Sequence, residues 1–154
     1  MSRIPTLNET DAERARAAAE CVSKTHEHLG NFLKAGQTLA EIDAEVARTL
    51  ASLDCKSCFL GYRAGGLPPF ASHACLSVND CIVHGTAAMS RTPLKPGDLI
   101  SIDIGVSHKG WIGDAAWTYA IEDYPSEQAR KLMDAGKESL RRGIETIAPG
   151  KQFL

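Results

Sequence analysis

Residues 99–121, LISIDIGVSHKGWIGDAAWTYAI, determine the fold class that the sequence predicts. Isoleucine and valine alternate with polar or small residues in the first half of this segment, and the second half alternates in the same way. A period of two is typical of a β-strand with one apolar and one polar face. We therefore predict strands over Leu99–Ser107 and Trp111–Ile121, joined by a hairpin turn at Ser107–Gly110.

The predicted register of this hairpin brings two carboxylates together. With the turn centred between His108 and Lys109, Asp103 lies directly opposite Asp114, and the apolar faces of the two strands also match. Directly opposed residues have Cβ atoms about 4.5–5.5 Å apart. Two ionised carboxylates repel each other at that distance, so either one is protonated or a cation lies between them. Because Asp is disfavoured in strands, the pattern indicates a site rather than one Asp in a turn and the other exposed to solvent.

Helices are predicted on both sides of the hairpin from apolar residues at three- and four-residue spacing. The second begins with a capping-box pattern at Thr38–Glu41, and Pro125-Ser126 begins the third. The first two end near Lys34 and Leu53, and the third ends near Ile147.

Between the second helix and the hairpin, we predict a loop at Gly61–Phe70 and short strands at Cys75–Val78 and Cys81–Val83. Two helices, then clustered strands, then a helix is the order of an α+β fold.

The composition is that of one ordinary globular domain. The chain has 154 residues, 23% charged and 44% hydrophobic, with a formal net charge of −2. We predict a single domain over residues 1–154 with a polar N-terminal arm at residues 1–9. The charge balance argues against a direct nucleic-acid partner. No apolar run is long enough for a membrane span, and no secretory signal is visible, which predicts a cytoplasmic protein without a membrane partner.

Five cysteines are an odd number, which argues against a disulfide framework. Cys55 and Cys58 have the C-x-x-C spacing, but a zinc knuckle usually needs a second close pair, and a redox dithiol would begin a helix. We expect buried or pocket-lining thiols, with a zinc module built on Cys55 and Cys58 as an alternative.

His84 follows the predicted strand at Cys81–Val83 and precedes Gly85. Alone it would be an ordinary surface or hydrogen-bonded residue. Beside a carboxylate pair it becomes a candidate metal ligand or proton-transfer group.

Two segments of the chain resemble motifs of type I methionine aminopeptidases, which are metallopeptidases of the pita-bread fold. Cys75–Gly85 is similar to the S-[VI]-N-x4-H-G segment of that family. Gly97–Gly105 and Gly110–Thr118 are similar to its G-D-x3-[ID]-D pattern and its G-[YFW]-x-G-D-x3-T pattern, with the two Asp residues eleven positions apart. The resemblance covers essentially the whole chain. It implies an α+β pita-bread fold, of which this chain would be the N-terminal half.

The resemblance also implies a mechanism. Asp103 and Asp114 would be ligands of two divalent metal ions, with Co, Mn, Fe and Zn as candidates. A hydroxide shared by the metals would attack the carbonyl that follows the N-terminal Met. His84 would be the catalytic residue that hydrogen-bonds the substrate. The side chain of the substrate Met would lie in a pocket formed by Cys58, Tyr62 and Phe70.

The implied role is excision of the N-terminal Met from nascent polypeptides during protein maturation, by a protein that is monomeric when full length. The ribosome is a further candidate partner. In this family, a second half supplies one His and two Glu metal ligands and another His near the substrate, and these have no counterparts here. We therefore expect a truncated domain that binds metal weakly, is inactive alone and exposes apolar sheet surface that favours self-association.

Two alternatives share the fold. One is an aminopeptidase of the Xaa-Pro type, against which the Ser-Val-Asn segment before His84 argues. The other is a non-catalytic pita-bread module that binds peptides or proteins. The presence of both Asp residues favours the enzyme lineage, but the expected truncation leaves the module open.

Overall fold

Three helices and one antiparallel sheet of four strands make up residues 6–151, the part of the chain that the computed structural model describes. This order confirms the predicted α+β class. The helices are α1 (Glu9–Phe32), α2 (Leu39–Ser52) and α3 (Glu127–Glu145), and the strands are β1 (Lys56–Ser57), β2 (Cys75–Val78), β3 (Leu99–His108) and β4 (Trp111–Ala120).

Strand β3 is the centre of the sheet. It pairs with β4 along its whole length. On its other edge, β2 pairs with Ile100–Asp103 and β1 pairs with Val106–Ser107. The predicted alternation is confirmed, because the apolar residues of one face are fully buried and belong to the core: Ile100, Ile102, Ile104 and Val106. The opposite face of β3 carries Asp103.

The two N-terminal helices begin at capping boxes and cover the apolar face of the sheet. Thr38 and Glu41 form the box predicted for α2, and Asn8 and Asp11 form another at the start of α1. Helix α1 lies against β4 at Gly113, where a Cβ atom would come within 2.4 Å of the Ala18 carbonyl oxygen. Four apolar residues of α2 complete the core: Leu39, Ile42, Val46 and Leu50.

The predicted hairpin register is wrong by two residues. Asp103 pairs with Ala116, and Asp114 pairs with Gly105. The turn is centred on Lys109 and Gly110, whose φ angles of 49° and 84° are those of a two-residue turn with both central residues left-handed. Such a turn matches the twist of the strands, and Gly adopts its second position without strain. Because the error is an even number of residues, both carboxylates stay on the predicted face and become diagonal neighbours.

The strand predicted at Cys81–Val83 is absent from the described residues. Asn79 has a φ of 53°, and a turn closed by the Cys81 amide on the Val78 carbonyl directs the chain away from the sheet. Ile82 and Val83 are exposed, so their apolar character reflects no buried strand. The prediction also missed β1, which is too short to show a period.

At the N-terminus, residues 1–5 of the predicted polar arm lie outside the described residues. Residues 6–8 are exposed, and α1 begins at Glu9, inside the predicted arm.

Helix α3 has no buried residue, although it is amphipathic. Its apolar side chains are exposed: Leu132, Leu140 and Ile144, followed by Ile147 beyond the helix end. Within residues 6–151, no helix combines the length and the apolar character that a membrane span requires.

Candidate functional site

A cavity of about 770 Å³ lies on the face of the sheet that carries the two carboxylates. All six residues predicted for the site line it: Cys58, Tyr62, Phe70, His84, Asp103 and Asp114. Residues far apart in the sequence therefore meet in one place.

Asp103 lies in the middle of β3 with a carboxylate oxygen that has no protein partner. Its Oδ1 atom is buried and accepts no hydrogen bond. Burial raises the pKa of this carboxyl, and the neighbouring charge of Asp114 raises it further, while His84 opposes both effects. A buried, unpaired oxygen beside a second carboxylate is costly unless a cation binds there. This observation fits a metal ligand.

Gly105 gives the carboxylate of Asp114 its space. A Cβ atom at Gly105 would come within 3.0 Å of Asp114 Oδ2 and within 2.6 Å of the Phe59 ring. The Gly105 carbonyl also accepts a hydrogen bond of 2.8 Å from the Cys58 amide. One glycine in β3 thus lets the second carboxylate and the wall of the cavity approach the sheet.

His84 is held in an unusual backbone conformation at the edge of the cavity. Its φ is 60°, a region that non-glycine residues seldom adopt. The next residue, Gly85, is packed so closely against β2 that a Cβ atom would lie 2.1 Å from the Leu76 carbonyl oxygen. Two hydrogen bonds hold Gly85 there, from the Leu76 amide to its carbonyl (2.8 Å) and from its amide to Ser77 Oγ (3.2 Å). His84 is therefore positioned by β2 and does not end a strand.

The apolar wall of the cavity comes from the loop that follows β1. Backbone hydrogen bonds of 2.8 Å close this loop, one from the Gly61 amide to the Phe70 carbonyl and one from the Phe70 amide to the Tyr62 carbonyl. The rings of Phe59 and Phe70 meet edge to face with centroids 6.2 Å apart. These contacts hold Tyr62 and Phe70 beside Cys58. The resulting wall suits a flexible thioether side chain.

The lining residues that were not predicted include Phe59, Cys75 and Thr86. Cys75 pairs directly with Asp103, a contact between strands that no local pattern in the sequence shows. Burial, and then the charge of Asp103, raise the pKa of the Cys75 thiol to about 11. Burial followed by the charge of Asp114 likewise raises the pKa of Cys58. Both thiols are therefore neutral at pH 7 and line the cavity without acting as thiolates.

The donor set of the cavity fits divalent cations only in part. Two carboxylates supply hard oxygen ligands of the kind that Mn²⁺ or Fe²⁺ accepts. In the part of the chain that the structure describes, no third His, Cys, Asp or Glu joins Asp103 and Asp114 in a cluster of ligand atoms. The pair would thus leave most coordination positions of a bound ion to solvent, substrate or other donors.

Comparison of the sequence with known proteins identifies the family of the chain. The model of Metallopeptidase family M24 matches residues 13–153. Methionine aminopeptidase 1 of Bacillus subtilis is 37% identical over 138 residues, which are 90% of this chain and 52% of that protein. Methionine aminopeptidase B of Synechocystis is 31% identical over 152 residues, or 99% of this chain and 55% of that protein. The chain spans about half the length of these curated relatives.

Solved structures agree on the fold. The methionine aminopeptidase of Thermotoga maritima superposes with a TM-score of 0.85 at 28% identity, over 96% of this chain and 57% of that one. The methionine aminopeptidase of Rickettsia prowazekii gives 0.86 at 26% identity, over 96% and 56%. The Xaa-Pro dipeptidase of Bacillus anthracis gives 0.74 at 18% identity, over 94% of this chain and 37% of that one, which shows a shared fold alone. The predicted pita-bread fold is confirmed.

Proposed function

The chain belongs to metallopeptidase family M24, and we propose that its cavity serves metal-dependent removal of the N-terminal Met from nascent polypeptides. The single observation that carries the proposal is the orphaned, buried Oδ1 atom of Asp103 beside a second carboxylate. A buried carboxylate oxygen without a partner lowers the stability of the folded state unless a cation binds to it.

Asp103 and Asp114 would hold the metal ions. When bound, divalent cations would act as Lewis acids on the peptide carbonyl and would activate water for attack at neutral pH. Oxygen ligands favour Mn²⁺, Fe²⁺ or Co²⁺, with Zn²⁺ as a further candidate.

The remaining lining residues would bind and orient the peptide. The aromatic and thiol wall formed by Cys58, Tyr62 and Phe70 would receive the Met side chain, because a thioether packs well against rings and sulfur. His84, fixed at the cavity edge by Gly85, would donate a hydrogen bond to the backbone of the substrate near the bond to be cleaved. These contacts would place the first peptide bond over the two carboxylates.

Metal binding by the carboxylates can be tested by titrating the chain with Mn²⁺ and mapping the paramagnetic broadening of its NMR signals. We expect broadening centred on Asp103, Asp114 and His84, with weak affinity because few protein donors are present. Asp103→Asn and Asp114→Asn should each lower the affinity by at least the roughly 10–100-fold that a lost outer-shell partner costs.

Asp134→Asn is the matched control, because Asp134 is exposed on α3, far along the chain from the cavity. It should keep wild-type Mn²⁺ affinity. Asp103→Asn should fold normally, since burial and Asp114 disfavour the ionised form of Asp103 in the native state. Broadening that persists in both cavity variants would contradict the proposal.

Substrate recognition can be tested in the same spectra with a Met-Ala peptide and a Lys-Ala peptide. We expect the Met-Ala peptide, but not the Lys-Ala peptide, to shift the signals of the cavity loop around Phe59 and Phe70. From the small donor set we expect no release of Met by the 154-residue chain itself. Release that disappears in Asp103→Asn would support the function and contradict the expected inactivity.

A further inference from the structure

We propose that Cys21, Cys55 and His108 form a second metal site, selective for Zn²⁺, which is separate from the carboxylate cavity. One ligand atom from each of these residues lies within 4.8 Å of the other two. The three residues come from α1, from the turn after α2 and from the end of β3. A metal bound to them would therefore fasten three elements of the fold together.

The site lies on the helix-covered face of the sheet. His108 is in phase with the buried Ile104 and Val106 of β3. The pairing of Lys56 with Ser107 places the preceding residue, Cys55, across from His108 on the same face. Cys21 is buried in α1, which covers that face. The carboxylate cavity is on the opposite face, so the two sites share no ligand.

The geometry agrees with tetrahedral coordination. Zinc bonds of about 2.3 Å to sulfur and about 2.0 Å to nitrogen put sulfur and nitrogen ligands about 3.5 Å apart. Cys55 Sγ lies 3.5 Å from His108 Nδ1. Cys55 is fixed in place, because its amide donates to the Leu50 carbonyl (2.9 Å) at the end of α2 and its thiol donates to the Leu53 carbonyl (3.3 Å).

The chemistry of the three ligands selects a thiophilic cation. Two thiolates and one imidazole suit Zn²⁺, whereas Mg²⁺ and Mn²⁺ prefer oxygen. Burial raises the pKa of the Cys55 thiol, and the adjacent Cys21 thiol raises it further, so zinc must displace thiol protons when it binds. Zinc affinity should therefore increase as the pH rises.

A surface cleft reaches His108, one of the three proposed ligands, and we expect water to complete the coordination of a bound ion. The cleft has a volume of about 220 Å³ and includes His108 among its lining residues: Glu13, Arg14, Ala17, His108 and Lys109. Three protein ligands and one open position are a known form of zinc coordination. The site also differs from the C-x-x-C alternative of the sequence, because Cys58 lies on the cavity face and does not belong to the cluster.

The test uses the whole chain carrying Asp103→Asn and Asp114→Asn, so that the carboxylate cavity contributes no metal ligand. The reduced, metal-free protein is titrated with Co²⁺, and the absorption from thiolate-to-cobalt charge transfer is recorded. We expect one equivalent of Co²⁺ to produce this absorption and one equivalent of Zn²⁺ to abolish it. Zinc should also raise the melting temperature.

Substitution of the proposed zinc ligands, compared with substitution of other cysteines, tests which residues bind the metal. Cys21→Ser and Cys55→Ser should each remove most of the charge-transfer absorption, whereas Cys58→Ser and Cys81→Ser should retain it. His108→Gln, at a half-buried position, should lower zinc affinity about tenfold or more even if a cysteine variant fails to fold. No charge-transfer absorption in the parent, or absorption unaffected by His108→Gln and Cys21→Ser, would overturn the proposal.

Discussion

At Gly105, the absence of a side chain keeps room for two other side chains of the cavity. A methyl group there would overlap the Phe59 ring and would crowd Asp114 Oδ2 at 3.0 Å. Asp114 sits directly across the hairpin from Gly105. The position of the second carboxylate therefore depends on a residue that would bind no metal itself.

We expect Gly105→Ala to weaken Mn²⁺ binding about tenfold or more, because it displaces the Asp114 carboxylate. Titration followed by NMR or calorimetry measures the change. Gly66→Ala is the control: a Cβ atom at Gly66 meets nothing within 4 Å, and it should bind Mn²⁺ like the wild type. Equal affinities for the two variants would show that Asp114 does not depend on this space.

At the scale of elements, α1 packs closely against β4 at a glycine, Gly113. The Gly113 backbone lies against the Ala18 carbonyl, so no side chain fits between the helix and the strand. Further along, His26 Nε2 donates a hydrogen bond to the Ala115 carbonyl (3.0 Å), and His26 Nδ1 is hydrogen-bonded to the Tyr119 hydroxyl (2.9 Å). The His26 ring also stacks on Trp117. Close approach and a polar contact thus hold the same pair of elements.

Gly113→Ala should destabilise the protein by about 1–3 kcal/mol, because the methyl group must push α1 away from β4. Denaturation by urea, followed by circular dichroism, measures this loss. Gly136→Ala is the comparison, since Gly136 lies in the exposed α3 with open space around it and Ala favours helix. A midpoint for Gly113→Ala equal to that of the wild type would mean that the helix adjusts without cost.

At the scale of the whole molecule, the buried His26 links stability to pH. Burial lowers the pKa of His26, although its hydrogen bond to Ala115 partly opposes this. The folded state therefore resists protonation of this imidazole, whereas the unfolded chain takes up a proton below the ordinary His pKa of about 6.5. The unfolded state then binds more protons, so the free energy of unfolding falls as the pH falls through that value.

We expect the free energy of unfolding to decrease between pH 7.5 and pH 5.5, and the decrease to be smaller in His26→Gln. Urea denaturation at several pH values measures both slopes. Buried Asp43 and half-buried Asp103 have raised pKa values, so their contribution to stability falls as the pH rises above the ordinary Asp pKa of about 4 and opposes that of His26. Comparison of the wild type with His26→Gln isolates the His26 contribution, because both carboxyl groups are present in each protein. A slope unchanged in His26→Gln would refute the assignment.

The sequence by itself determined the three helices, the strands β2, β3 and β4, and the identity of the paired carboxylates. A period of two defined β3 and β4, capping chemistry defined the start of α2, and both signals are local, so neighbouring residues suffice to show them. The motifs around His84, Asp103 and Asp114 were sufficient to indicate the family. The six site residues that this family resemblance implied all line one cavity.

Only the tertiary structure decided the register and the contacts between distant segments. The turn at Lys109-Gly110 moved Asp114 opposite Gly105, because a hairpin register depends on backbone angles as well as on the apolar pattern. Cys75 beside Asp103, and Cys21 beside Cys55 and His108, are neighbours through strand pairing and helix packing alone. Sequence spacing cannot show such contacts, since they depend on how the whole chain packs.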